Sequence, residues 1–134
     1  MTQVDSILQT PEDIYQYIKN ELMFMPQKNF LVLCLDCRNH VIKKKTIFVG
    51  SVNTSLVTPR EVFKEAIEVN SSKIVLVHNH PSGDAHPSHE DLSLTKKFLE
   101  LGKMLDIEVL DHIVIGWNQY FSIAAMKFVI CVKN

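Results

Sequence analysis

IVLVHNHPSGDAHPSHED, residues 74 to 91, is the stretch on which the architecture turns. It opens with an unbroken apolar run, Ile74 to Val77, the pattern of a strand covered on both faces, and this run leads directly into His78. Pro81, Gly83 and Pro87 then impose a loop. From Ser88 onward, Leu94, Phe98, Leu101 and Leu105 recur at intervals of four, three and four, one stripe of a helix that closes near Asp106. A buried strand joined through a loop to an amphipathic helix belongs to an α/β architecture.

The flanking sequence extends this pattern in both directions. Upstream, Thr58, Pro59, Arg60 and Glu61 supply a cap, an N1 proline and an N3 glutamate. They read as a capping box opening a helix whose Val62, Phe63, Ala66 and Ile67 face inward and which ends near Asn70. Phe30 to Leu35 and Val41 to Val49 flank a turn at Asp36 to Asn39, a hairpin followed by a loop over residues 50 to 57. Thr10 and Pro11 start a first helix, with Ile14, Tyr17, Ile18, Leu22 and Met25 at helical spacing, that ends before Pro26. Downstream, Ile107 to Ile115 and Tyr120 to Ile123 form a last hairpin turning at Gly116 to Gln119. The sum is a sheet with helices packed against it. The apolar tail from Ala124 to Val132 is left over, and is expected to pack on the core or to form a homo-oligomer contact.

No repeat, low-complexity stretch or Gly/Ser-rich linker divides the chain, so residues 1 to 134 read as a single domain. At this length a core holds without disulfide or metal staples, and a metal found here serves chemistry. Fourteen Lys plus Arg against fifteen Asp plus Glu leave no positive excess, which argues against nucleic acid as the main partner. No apolar run approaches the ~20 residues that cross a bilayer, so no membrane span is expected. The acidic and polar start, Met1 to Thr10, is unlike a secretory signal, and the odd set Cys34, Cys37 and Cys131 suits a reducing compartment. A cytoplasmic location is therefore expected.

Chemistry concentrates at the end of the central strand. Alternation places His78 and His80 on the same side, ~7 Å apart at Cα, where both imidazoles reach a single ion. Asp91 lies in the first turn of the next helix, on its inward stripe three residues before Leu94. Two imidazoles and a carboxylate are the ligand set of zinc sites that keep a fourth position for water. Two plainer readings stand beside this one: Asp91 and Ser88 as a capping box, and the histidines as structural core residues. The combination of strand, loop and inward aspartate favours the metal.

His-x-His, seven residues, Ser-x-x-Asp, as in His78 to Asp91, resembles the JAMM (MPN) metalloprotease motif, with Asn79 where many members carry Ser or Thr. HNHPSGD at 78 to 84, PREVFKEAI at 59 to 67 and LDHIVIG at 110 to 116 are similar to the bacterial RadC proteins, over about residues 10 to 123. The resemblance implies a JAMM/MPN-like, cytidine-deaminase-like fold and Zn2+ held by His78, His80 and Asp91. It also implies that Ser88 stands beside the metal-bound water or the developing oxyanion. RadC proteins usually carry an N-terminal helix-hairpin-helix region, which this sequence lacks, and their historical label is DNA repair. JAMM hydrolases use a glutamate as general base at the start of an early strand, and the matching position here is Lys28. An ammonium cannot accept the proton and would repel the ion. Glu21 and Glu61 are the substitutes considered, each with a simpler role: Glu21 as a solvated helix residue, Glu61 as a capping glutamate.

Cys34 and Cys37 form a Cys-x-x-Cys without a second pair and are read as coincidental. His86 and His89 are taken as exposed loop residues. Asp111 and His112 are adjacent on a strand and so point to opposite faces, His112 being packed or supporting the site, not a ligand. Lys43 to Lys45 read as a solvated strand edge and Lys96 and Lys97 as an outer helix face. Three functions follow as expectations. The first is zinc-dependent hydrolysis of an amide or isopeptide bond in a peptide or protein substrate. The second is a metal-bearing binding module that has lost turnover, and the third an accessory role in DNA repair, resting on the family label alone.

Overall fold

The computed structural model describes residues 6–50 and 57–131. Among these, the chain forms α1 (Pro11–Leu22), β1 (Lys28–Leu35), β2 (Val41–Gly50), α2 (Pro59–Glu68), β3 (Lys73–Asn79), α3 (His89–Leu105), β4 (Glu108–Gly116), β5 (Gln119–Ser122) and β6 (Lys127–Ile130). The architecture is α/β, as expected: a six-stranded mixed sheet in the order β2-β1-β3-β4-β5-β6. Of the hydrogen-bonded neighbours only β3 and β4 run parallel, and the crossover α3 joins them; α2 likewise crosses from β2 to β3, but β1 lies between those two strands. The other neighbours pair antiparallel. No helix among the described residues is long and apolar enough to cross a membrane.

Period-two alternation in the central strands sorts the core into two layers. Leu31, Leu33, Leu35, Val75 and Val77 meet Ile14, Tyr15, Ile18 and Leu22 of α1 on one face. Phe30, Val32, Cys34, Ile74 and Leu76 meet Val62, Phe63 and Ala66 of α2 and Phe98 of α3 on the other. Continuing that second column along β3 brings His78 to the α3 side.

Several local expectations need correction. α1 ends at Leu22, so Met25 is 39% exposed, and Tyr15 takes the fully buried place expected of Tyr17. Ile67 of α2 is 59% exposed, since the inward face already closes with Ala66. The capping box at Thr58 has one leg: Thr58 Oγ1 accepts from Glu61 N, while the Glu61 carboxylate takes the Thr58 hydroxyl and not its backbone N–H. Complete boxes are present at Thr10 and Asp13 and at Ser88 and Asp91. Leu105 ends the α3 stripe half in solvent, and α3 begins at His89, which is therefore helical. The expected loop at 50 to 57 lies almost wholly outside the described residues, as does Val132. The rest of the apolar tail includes β6, an edge strand paired to β5.

Candidate metal centre

β3 delivers His78, fully buried, and His80 follows at its end with a side chain 21% exposed. α3 delivers Asp91 through its own cap. Ser88 Oγ accepts from Asp91 N at 3.1 Å, and Asp91 Oδ2 accepts from Ser88 N at 3.0 Å. The same Oδ2 lies 3.1 Å from His80 Nε2 and 3.4 Å from His78 Nε2, and the two Nε2 atoms are 3.2 Å apart. The capping box and the triad are thus one structure, in which the cap fixes the carboxylate between the rings. A four-coordinate ion bound at ~2.0–2.1 Å holds neighbouring ligand atoms about 3.3 Å apart. The spacing of these three atoms matches.

Proton placement strengthens the fit. The Thr95 hydroxyl donates to the Asp91 carbonyl oxygen at 2.8 Å, so its oxygen is left to accept from His112 Nδ1–H at 2.5 Å. That tautomer makes His112 Nε2 an acceptor, and His78 Nδ1, 2.8 Å away, is its donor. His78 Nε2 consequently presents a lone pair to the centre. His80 Nδ1 lies 2.8 Å from the Asp84 carbonyl oxygen, which can only accept, so His80 Nε2 also presents a lone pair. Three acceptor atoms converge, an arrangement that a cation among them satisfies. Burial pushes the His78 imidazole down to about 4, with Asp91 acting against the shift, so at neutral pH the ring does not supply that cation as a proton. Burial opposes ionisation of Asp91, but the histidines when protonated, together with the Ser88 amide, outweigh it and hold the carboxyl well below the usual range. His78, His80 and Asp91 can therefore hold a metal ion.

The second layer is built by packing. Phe30 stacks on His78 with centroids 5.7 Å apart and meets His112 edge-on at 5.5 Å. His112 reaches the site because of a register shift: Ile74 pairs Val109, but Val75 pairs Asp111. The extra residue, Leu110, reverses the phase of β4 and turns His112 toward α3. Asn79, on the opposite side of β3 from His78, accepts from Asn29 N at 2.7 Å and donates to Gln27 O at 3.1 Å. These bonds, to the residues on either side of Lys28, tie the start of β1 to the site and so set Lys28 in place.

Lys28 enters the centre itself. It is 4% exposed, and its Nζ lies 4.0 Å from Asp91 Oδ1, a buried oxygen with no hydrogen-bond partner. Burial lowers the affinity of the amine for its proton and Asp91 acts in the opposite sense. Neither substitute carboxylate joins the triad: Glu21 pairs with Lys44, and Glu61 is engaged with Thr58. Asp111, also buried, takes the Ser122 hydroxyl and the amides of His112 and Ala124.

His86 is exposed, stacking on Phe128 at 4.3 Å and bonding Asp84, so it stays apart from the triad as expected. Cys34 is buried, Cys37 exposed, and both thiols are free. Lys43 and Lys44 are not simply solvated: they pair with Glu65 and Glu21 respectively. Thr95 escaped the sequence reading, although its place four residues after Asp91, on the same helix face, was a usable signal.

Residues 8–128 match the RadC-like JAB domain family. A UPF0758 protein of Geobacillus sp. (strain WCH70) is 45% identical over 123 residues, covering 92% of this chain and 54% of the relative. Its counterpart in Bacillus cereus (strain B4264) is 48% identical over 116 residues, 87% of this chain and 52% of the relative. One from Halalkalibacterium halodurans is 44% identical over 117 residues, with 87% and 50% covered. The chain spans about half the length of the curated relatives it matches.

Proposed function

Because this chain belongs to the RadC-like JAB domain family, we propose that it is a zinc-dependent hydrolase-type domain acting on an amide or isopeptide bond. The observation that carries this reading is the convergence of three lone-pair atoms, on His78, His80 and Asp91, whose ring protons are committed elsewhere. Zinc suits two imidazoles and one carboxylate, and when bound it would polarise a carbonyl and acidify a water molecule. The chain's own residues supply the remainder. His112 and Thr95 hold the His78 ring in its ligating tautomer. Ser88 Oγ accepts the Asp91 amide proton, which leaves the hydroxyl hydrogen free to donate to an oxyanion. A peptide or protein is the substrate class that such chemistry serves. Free cysteines support a cytoplasmic setting.

Lys28 favours a second reading. With an ammonium where a hydrolase needs a proton acceptor, the domain binds metal and an amide-bearing ligand without efficient turnover. Hydrolysis of amide and isopeptide substrates by zinc-loaded wild type, K28E and H80A distinguishes the two. Turnover by wild type that disappears in H80A supports the hydrolase; turnover only in K28E supports the binding module. No turnover in any of the three contradicts the proposed chemistry.

A further inference from the structure

The charge balance of the metal centre points to a ligand. The Lys28 ammonium and the Asp91 carboxylate lie 4.0 Å apart, an ion pair without a hydrogen bond, and Asp91 Oδ1 is buried with no hydrogen-bond partner. Among the described residues no second carboxylate joins Asp91 at the triad. A divalent cation there brings two positive charges and Lys28 brings one, while Asp91 removes one. The loaded centre is left with two uncompensated positive charges among residues of which Lys28, His78, Asp91 and His112 are each at least nine-tenths buried. Uncompensated charge in such surroundings is costly, and the cost falls on metal affinity until a negative group arrives. His80 is the member of the triad whose side chain is partly exposed.

We propose that this centre is built to take its metal together with an oxyanion, a carboxylate of the ligand drawn by Lys28, so that metal and anion bind cooperatively. The inference rests on the reading that the triad binds zinc. It narrows the ligand class to peptides that present a carboxylate at the site, because a neutral amide alone leaves the excess charge in place. By linkage, whatever factor acetate adds to zinc affinity, zinc must add to acetate affinity.

The test is chelator competition for zinc at constant pH and ionic strength, with acetate exchanged for chloride and zinc–acetate association in the buffer subtracted. Acetate is expected to tighten zinc binding to the wild type by about tenfold. K28Q is expected to bind zinc more tightly than wild type without acetate and to show no acetate effect. K28M is a second variant lacking the ammonium, and melting curves identify which of the two is folded. Wild-type zinc affinity indifferent to acetate overturns the proposal while leaving the triad intact as a zinc site. An acetate effect that survives in either folded Lys28 variant also overturns it. Absence of zinc binding in wild type under both conditions removes this proposal and the zinc reading together.

Discussion

His78 Nδ1 and His112 Nε2 lie 2.8 Å apart, with both rings fully buried. This contact orients a ligating ring from behind, since His112 is in turn fixed by Thr95 and Thr95 by the backbone of Asp91. The relay therefore begins and ends on residues of the triad.

Replacing His112 by Phe keeps a planar aromatic ring, slightly larger than imidazole, but removes the acceptor for His78 Nδ1–H. Zinc affinity should fall by about 10–100-fold, the usual effect of losing such a support. Stability should fall by about 1–3 kcal/mol from the buried donor left unpaired. Chelator competition and urea unfolding measure the two effects. Unchanged zinc affinity would show that the contact is only packing.

Ser88 and Asp91 share a cap but not a role at the metal. S88A should cost about 1 kcal/mol of stability through loss of the Asp91 amide's partner, yet still bind one zinc per chain. D91A should lose the zinc as well as its half of the cap. Metal content after dialysis, measured beside thermal melts, separates the variants. Loss of zinc from S88A would place Ser88 among the ligands.

Acid should weaken the metal-free protein in a defined window. Burial lowers His78 to about 4 from 6.5 and moves His112 in the same direction. Below about pH 6.5 the unfolded chain takes up protons that the folded rings refuse, so stability drops with falling pH until the folded His78 protonates near 4. Each such ring contributes at most about 1.4 kcal/mol per pH unit. The depressed carboxyl of Asp91 adds a further loss in stronger acid, where it finally protonates. Urea midpoints in the presence of a chelator should be flat above neutrality and decline through this window. A profile flat down to about pH 4 would contradict the buried, neutral state of the rings.

Gly83 holds the loop after His80 in a shape other residues resist. Its φ is +93°, and a Cβ there would lie 2.4 Å from the Trp117 ring. Gly83 N also donates to the His80 carbonyl at 2.9 Å. G83A should destabilise the protein by about 1–3 kcal/mol and weaken zinc binding through His80. Removing the indole in G83A/W117A should restore part of the loss, leaving the cost of the positive φ. Equal stability in G83A and wild type would rule out this constraint.

Much of this arrangement is legible in the residues. The run Ile74 to Val77 and the stripe through Phe98 determine strand and helix, and parity along β3 aligns both histidines with Asp91. The bulge at Leu110 is not legible, because one extra residue leaves the apolar pattern of β4 intact while exchanging its faces. β6 was obscured for a related reason: LysPheValIle at 127 to 130 is too short for alternation to distinguish a strand from a packed tail. The burial of Lys28 against Asp91 depends on three-dimensional pairing, with β1 and β3 in register at Phe30 and His78. Composition gives no hint of it.

The most direct test is zinc stoichiometry in untagged protein after equilibrium dialysis, comparing wild type with H78A, H80A and D91A. One tightly held zinc per wild-type chain, lost from each variant that remains folded, is the predicted result. Retention of that zinc by folded H80A or D91A, or a wild type that binds none, would contradict the triad as a metal centre.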